Sequence, residues 1–207
     1  MLSVVRLLLA MLTLAAIGWQ LWLHIEASYN ALNFFSYFTN LSNLLAAVVL
    51  LLSVFLRVRR HSALDSLRYV SATNMVVVGL VFVALLRNVD LGALRPWVNI
   101  VLHYVMPIAI VLDWVIEAPR SRLTARHLLL ALIFPTAYLV YVLLRGAASN
   151  WYPYPFLVPA NVGGYGGVAL YAIGIFVTFL AVGSALLAIG NRARAAASGN
   201  RSRSSME

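Results

Sequence analysis

A threonine and a histidine, each set among apolar neighbours, are the residues here best suited to chemistry. His103 lies in PWVNIVLHYVMPIAIVLDW and is the one histidine of four placed well inside an apolar stretch. Asn99 stands one helical turn before it and Pro107 one turn after. An asparagine in that place can bond the imidazole and select its tautomer. A proline frees the carbonyl one turn back and can bend the helix. An ionisable residue inside a membrane span points to function by default, and a neutral imidazole is what a general base requires. The plainer use of such a histidine is a hydrogen bond across helices.

Thr39 lies in FFSYFTNLSNLL, where Ser36, Tyr37, Thr39, Asn40, Ser42 and Asn43 crowd the opening of another apolar stretch. At 100° per residue Asn33, Ser36, Thr39, Asn40 and Asn43 share one helical face about 120° wide, with Ser42 beside it. In hydrocarbon that face must look into the bundle or a wet cavity, and interhelical bonding accounts for most of it. If this helix begins near Asn33 and the other near Trp97, Thr39 and His103 lie equally deep, about 9 Å below the interface. A hydroxyl–imidazole pair is then geometrically open. Asp113 would lie about 15 Å deeper than His103, too far to orient the ring, so its expected partners are Arg120 or Arg122. The implied chemistry is a dyad without a carboxylate.

The elements that must position these residues are six apolar stretches, at about 4–23, 38–56, 69–86, 97–116, 127–144 and 168–190. Each is near the ~20 residues that cross the hydrocarbon core as a helix. Of the 207 residues 63% are hydrophobic and 10% charged, too few charges to cover a soluble core. The fold class expected is all-α, a polytopic membrane protein with residues 1–190 as its transmembrane domain. A basic, Ser-rich tail at 191–207 is expected to be disordered. All fifteen basic residues are arginine and cysteine is absent, which excludes disulfides and thiolate chemistry.

Net charge is +9, but topology explains it better than nucleic acid does. Arg6, Arg57, Arg59, Arg60, Arg68, Arg120, Arg122, Arg126, Arg192, Arg194, Arg201 and Arg203 fall on one side of an up-down bundle. Arg87, Arg95 and Arg145 fall on the other. That asymmetry places both termini in the cytoplasm and the Thr39 end outside.

Three features remain. His24 and Glu26 read as solvated interfacial residues or the mouth of a site, while His61 and His127 read as headgroup-level residues. SNWYPYPFLVPANVGGYGG, rich in proline and aromatics, reads as a stiff cap or connector above the dyad. Gly163 and Gly167, with Gly167, Gly174, Ala181 and Ala188 at heptad spacing, read as a close-packing face.

FTNLSN, W-V-N-x-x-x-H-x-x-x-P and WYPYPFL together resemble the androgen-induced, or androgen-dependent, transmembrane threonine hydrolase family and its bacterial six-helix relatives. The resemblance implies an intramembrane hydrolase acting on fatty acid esters of hydroxy fatty acids, with Thr39 as nucleophile and His103 as base. It carries Asn99 and the Trp151–Leu157 segment, including Tyr154, into the site. Ile100 stands where eukaryotic relatives have a second histidine, and Val158 and Pro159 replace a frequent polar residue. Asn40, Asn43 and Ser36, or backbone amides at the helix opening, are candidates to bind substrate or an oxyanion. No metal or cofactor is expected. The expected partners are membrane lipids and a lipid ester, in a bacterial plasma membrane. A lipid-binding or scaffold protein using the same polar face stays open beside the hydrolase. A haem protein would need a second histidine at comparable depth, which the sequence lacks.

Overall fold

The computed structural model describes residues 1–56, 62–89 and 94–204, with side chains as far as 197. Arg57, Arg59, Arg60 and His61, and the side chains of Arg201 and Arg203, lie outside the described residues. Six helices are long and apolar enough to cross a membrane. They are α1 (Leu2–Glu26), α2 (Phe38–Phe55), α3 (Ser62–Leu86), α4 (Pro96–Ile116), α5 (Ala125–Ser149) and α6 (Tyr165–Ser204). The protein is all-helical and of integral membrane type. The last helix passes the expected end at 190, since the alanines of RARAAA favour the helical state.

Local signals set most boundaries. Pro96 opens α4 after an extended Arg95. Thr124 and His127 form a reciprocal capping box before α5, and Asn150 closes it in the left-handed region at φ 54°. α2 starts later than the polar pattern suggests. A single helical turn, Ala31–Phe34, capped by the Asn30 side chain, precedes an extended Tyr37. Asn33 and Ser36 therefore stand outside the helix that carries Thr39, and the shared-face argument holds only from Thr39 onward.

α3 is the hub, packed against α2, α4, α5 and α6, while α1 covers α2 and α4. Within their most apolar windows 56% of α3 residues are buried against 11% for α5, so the fifth helix is peripheral. Close approach of α6 occurs at Gly183 and Gly190, where an added Cβ would meet Leu128 Cδ1 at 2.6 Å and Trp114 Cζ2 at 2.8 Å. Tyr69 and Trp114 exploit those gaps, donating to the carbonyls of Gly183 and Leu186. The expected small face is displaced: Gly163 is in the preceding loop at φ 76° and Gly174 faces open space.

At the end of the bundle away from Thr39, Asp113 accepts Arg6 Nε at 2.6 Å and Arg68 Nη2 at 2.9 Å, and Arg6 also pairs with Glu117. This network ties α1, α3 and α4 together. Asp113 thus bonds arginines of neighbouring helices, not the expected Arg120 or Arg122. It is Asp65 that receives the amides of Arg120 and Ser121.

Candidate active site

Thr39 and His103 meet. Thr39 is the second residue of α2 and His103 the middle of a π turn in α4, Val101–Val105. Thr39 Oγ1 lies 3.3 Å from His103 Nε2, and both residues are buried. His103 Nδ1 lies 3.2 Å from the Asn99 carbonyl oxygen. A carbonyl only accepts, so in the neutral ring Nδ1 carries the proton and Nε2 presents its lone pair to the threonine hydroxyl. Asn99 thus sets the tautomer through its backbone, while its side-chain Oδ1 is buried without a hydrogen-bond partner. No carboxylate touches the ring among the described residues. Phe82 stacks on its face, with centroids 4.1 Å apart.

The π turn explains the role of Asn43. Met106 N–H reaches back five residues to Val101 O, and in that register Pro107 faces Leu102 O with no N–H to give. Asn43 Nδ2 supplies the missing donor, reaching Leu102 O at 3.2 Å and Thr39 O at 2.9 Å. The proline therefore orphans the carbonyl of Leu102, where α-helical spacing pointed to His103. With its amide committed and its side chain fully buried, Asn43 locks α2 to α4 at the level of the dyad.

The other sequence candidates divide. Asn40 lines a cavity beside Thr39 and His103 while its Nδ2 holds Phe34 O at 2.8 Å. Ser36 stands apart: its hydroxyl donates to Leu32 O at 2.7 Å and lies 2.9 Å from the Tyr141 hydroxyl, while Tyr138 donates to its carbonyl. Tyr154 comes from the loop before α6 and reaches Thr39. Its hydroxyl oxygen accepts Thr39 N–H at 3.4 Å. Burial pushes the Tyr154 phenol above its usual range, so it keeps a proton to donate. The loop folds into two short 3₁₀ turns, Pro155–Leu157 and Pro159–Asn161, and caps the site.

Thr39 lies where two cavities meet. One, about 770 Å³ including open space, is almost wholly apolar and is walled by Phe38, Val78, Val81, Leu139, Phe156 and Phe179. It reaches Thr136 and Phe176 on the lipid-facing sides of α5 and α6, both exposed. The other, about 1450 Å³ including open space, is lined by His103, Asn40, Asn33, Gln20, His24 and the 151–161 loop. Thr39, Leu86 and Tyr154 border both. His24 lines this polar chamber, its ring nitrogen 3.0 Å from Asn30 O.

Sequence reasoning did not find Phe82, an ordinary apolar residue in an apolar helix, nor Gln20, whose side-chain oxygen accepts Arg95 N–H at the chamber wall. No group of three or more metal-ligating residues occurs among the described residues. Neither a curated protein nor a solved structure matches the chain. The family model described as FAR-17a/AIG1-like protein, the androgen-induced family that the three motifs resemble, matches residues 5–188. That match runs from α1 deep into α6, through every residue of the dyad and its loop, and the chain belongs to this family.

Proposed function

We propose that the protein hydrolyses esters of membrane-resident lipids, fatty acid esters of hydroxy fatty acids or related lipid esters, with Thr39 as nucleophile and His103 as base. The observation that carries this reading is the position of Thr39 Oγ1, 3.3 Å from a lone pair on His103 Nε2 and at the junction of an apolar and a polar cavity. An acyl chain fits the first cavity and the alcohol half of the ester the second, which leaves the carbonyl at Thr39. Dyad contacts of this length are typical without substrate and tighten when it binds.

His103 Nε2 takes the hydroxyl proton as Thr39 Oγ1 bonds the carbonyl carbon. The tetrahedral intermediate collapses, expelling the alcohol with that proton and leaving an acyl-threonine. Water, deprotonated by the same nitrogen, then attacks to release the fatty acid and regenerate Thr39. The oxyanion has two donors at hand, the Tyr154 hydroxyl and the N–H of Thr39 in the first turn of α2, which without substrate makes a long 3.4 Å bond to that hydroxyl oxygen. The α2 dipole adds to both. The dry apolar wall strengthens these contacts by excluding water.

Arginine asymmetry in the sequence supports an orientation with both termini inside and this site on the outer side, and the membrane we propose is a bacterial plasma membrane. The reading is tested by assaying a lipid ester and an activated short ester in detergent, with fluorophosphonate labelling. Thr39→Ala and His103→Ala, folded as the wild type, should lose turnover, and Thr39→Ala should lose labelling. Full turnover in either variant overturns the dyad. A folded wild type inert on every ester, yet retaining lipid, would instead make the two cavities a lipid-binding site.

A further inference from the structure

Residues 31–55 contain neither proline nor glycine, so nothing in the segment itself stops a helix from running through it. The helix breaks nonetheless. A single turn ends at Phe34, Tyr37 is extended at φ −82° and ψ 125°, and α2 starts at Phe38. In an unbroken helix the carbonyls of Phe34, Phe35 and Ser36 would take the N–H groups of Phe38, Thr39 and Asn40. Side chains occupy the outer two instead. Phe34 O accepts Asn40 Nδ2 at 2.8 Å, and Ser36 O accepts the Tyr138 hydroxyl at 2.8 Å. The Asn40 N–H turns to Tyr37 O at 3.1 Å. Side-chain contacts therefore impose the break.

Most of those contacts come from α5. Tyr138, Tyr141 and Arg145 are spaced i, i+3 and i+7, along one helical face. Ser36 gives its own proton to Leu32 O at 2.7 Å, so the Tyr141 hydroxyl 2.9 Å away is the donor in that pair. Arg145 Nη2 donates to Asn33 Oδ1 at 2.6 Å, while its guanidinium rests 4.7 Å over the Trp151 ring. α5 is the least buried of the six spans. Its polar stripe nevertheless grips residues 33–36 with three hydrogen bonds.

We propose that Tyr138 and Tyr141 are positioning residues for Thr39: by holding Ser36 out of helical register they keep the Thr39 N–H outside the α2 ladder. Were α2 to run back over the break, Phe35 O would take that N–H, and a substrate oxyanion could no longer claim it. In the observed state the N–H makes only the 3.4 Å contact with the Tyr154 hydroxyl oxygen, long enough to yield to a stronger acceptor. The start of α2 is thus set by α5 and not by its own sequence. This rests on the hydrolase reading for the use of the N–H; that the clasp keeps it outside the ladder does not.

The test follows the Thr39 amide by hydrogen exchange in the full chain in detergent, with isotope-labelled threonine. Its signal is the one that Thr39→Ser removes. In the wild type it should exchange at least about 10-fold faster than the amide of Thr73, which lies mid-helix in α3. Tyr138→Phe combined with Tyr141→Phe keeps both rings and removes both hydroxyls. In that variant the Thr39 amide should slow towards the Thr73 rate, whereas bonds that merely brace the fold would leave it unchanged or make it faster. Steady-state kinetics on an activated ester gives a second readout. The kcat should fall about 10-fold in Tyr138→Phe alone and approach the ~10²–10³ of a lost oxyanion donor in the double variant, with KM unmoved. A wild-type Thr39 amide as slow as that of Thr73 overturns the proposal without any variant. So does a Thr39 amide that fails to slow in the double variant, or an unchanged kcat there. A wild type inert on every ester removes the hydrolase alone, because the amide still decides whether the clasp holds the donor free.

Discussion

Phe82 lies flat on the His103 imidazole, with planes 23° from parallel and centroids 4.1 Å apart. The two residues belong to the two π turns of the molecule's described residues, Phe82–Leu86 in α3 and Val101–Val105 in α4. π turns recur at functional sites because one extra residue per turn re-aims a side chain. Here they set two rings face to face and leave Nε2 pointing at α2. Phe82→Leu keeps the wall apolar but removes the flat support. It should lower kcat by about 10- to 100-fold, since small misplacements of a catalytic group are costly. Steady-state kinetics of the purified variant checks this, with KM expected to move little.

Tyr154→Phe removes one proposed oxyanion donor while keeping the ring stacked on Phe156. The expected loss is about 10²–10³ in kcat, with acylation slowed and fluorophosphonate labelling correspondingly delayed. A change confined to KM would show that the phenol only helps to seat substrate.

Asn43→Leu is expected to cost stability as well as rate. It leaves the carbonyl of Leu102 without its donor and removes the second donor to Thr39 O, at about 1–3 kcal/mol for the unsatisfied buried group. Thermal unfolding in detergent reads the first effect. Restoration by Asn43→Gln should be poor, because the longer side chain cannot span the same two carbonyls.

Asp113→Asn probes the opposite end. It leaves Arg6 and Arg68 buried with diminished compensation, a loss of about 3–5 kcal/mol by comparison with other broken buried pairs. The melting temperature should fall, while the specific activity of the protein that remains folded should match the wild type, since Asp113 touches neither cavity.

Thr39→Ser separates the proposed role as nucleophile from packing. Serine keeps the hydroxyl that faces His103 Nε2 but loses the methyl that fixes χ1. It should retain fluorophosphonate labelling and a reduced but measurable turnover, where Thr39→Ala has neither.

The six spans were legible because each is a long run whose apolar character alone forces a helix. Thr39 and His103 were legible for the opposite reason, as polar groups with few ways to be satisfied in such a run. The rest depended on breaks in regularity that periodicity cannot register. The bend at Phe35–Tyr37 detaches Asn33 and Ser36 from α2. The π register moves the orphaned carbonyl from His103 to Leu102. Pairings between distant helices were also hidden: Asp113 with Arg6 crosses 107 residues, and Arg145 with Asn33 crosses 112. The close-packing glycines of α6 were misplaced because Gly174 and Gly183 look alike in sequence and differ only in what stands opposite.

The apolar cavity reaches the outside of the bundle at Thr136 and Phe176, on the surface of α5 and α6 that meets lipid. A chain seated there remains among hydrocarbon tails from approach to cleavage and is never hydrated. The quantity that saturates such an enzyme is therefore the mole fraction of ester in the surrounding leaflet. Diluting vesicles in buffer leaves its rate per molecule unchanged, whereas diluting the ester with inert lipid lowers it.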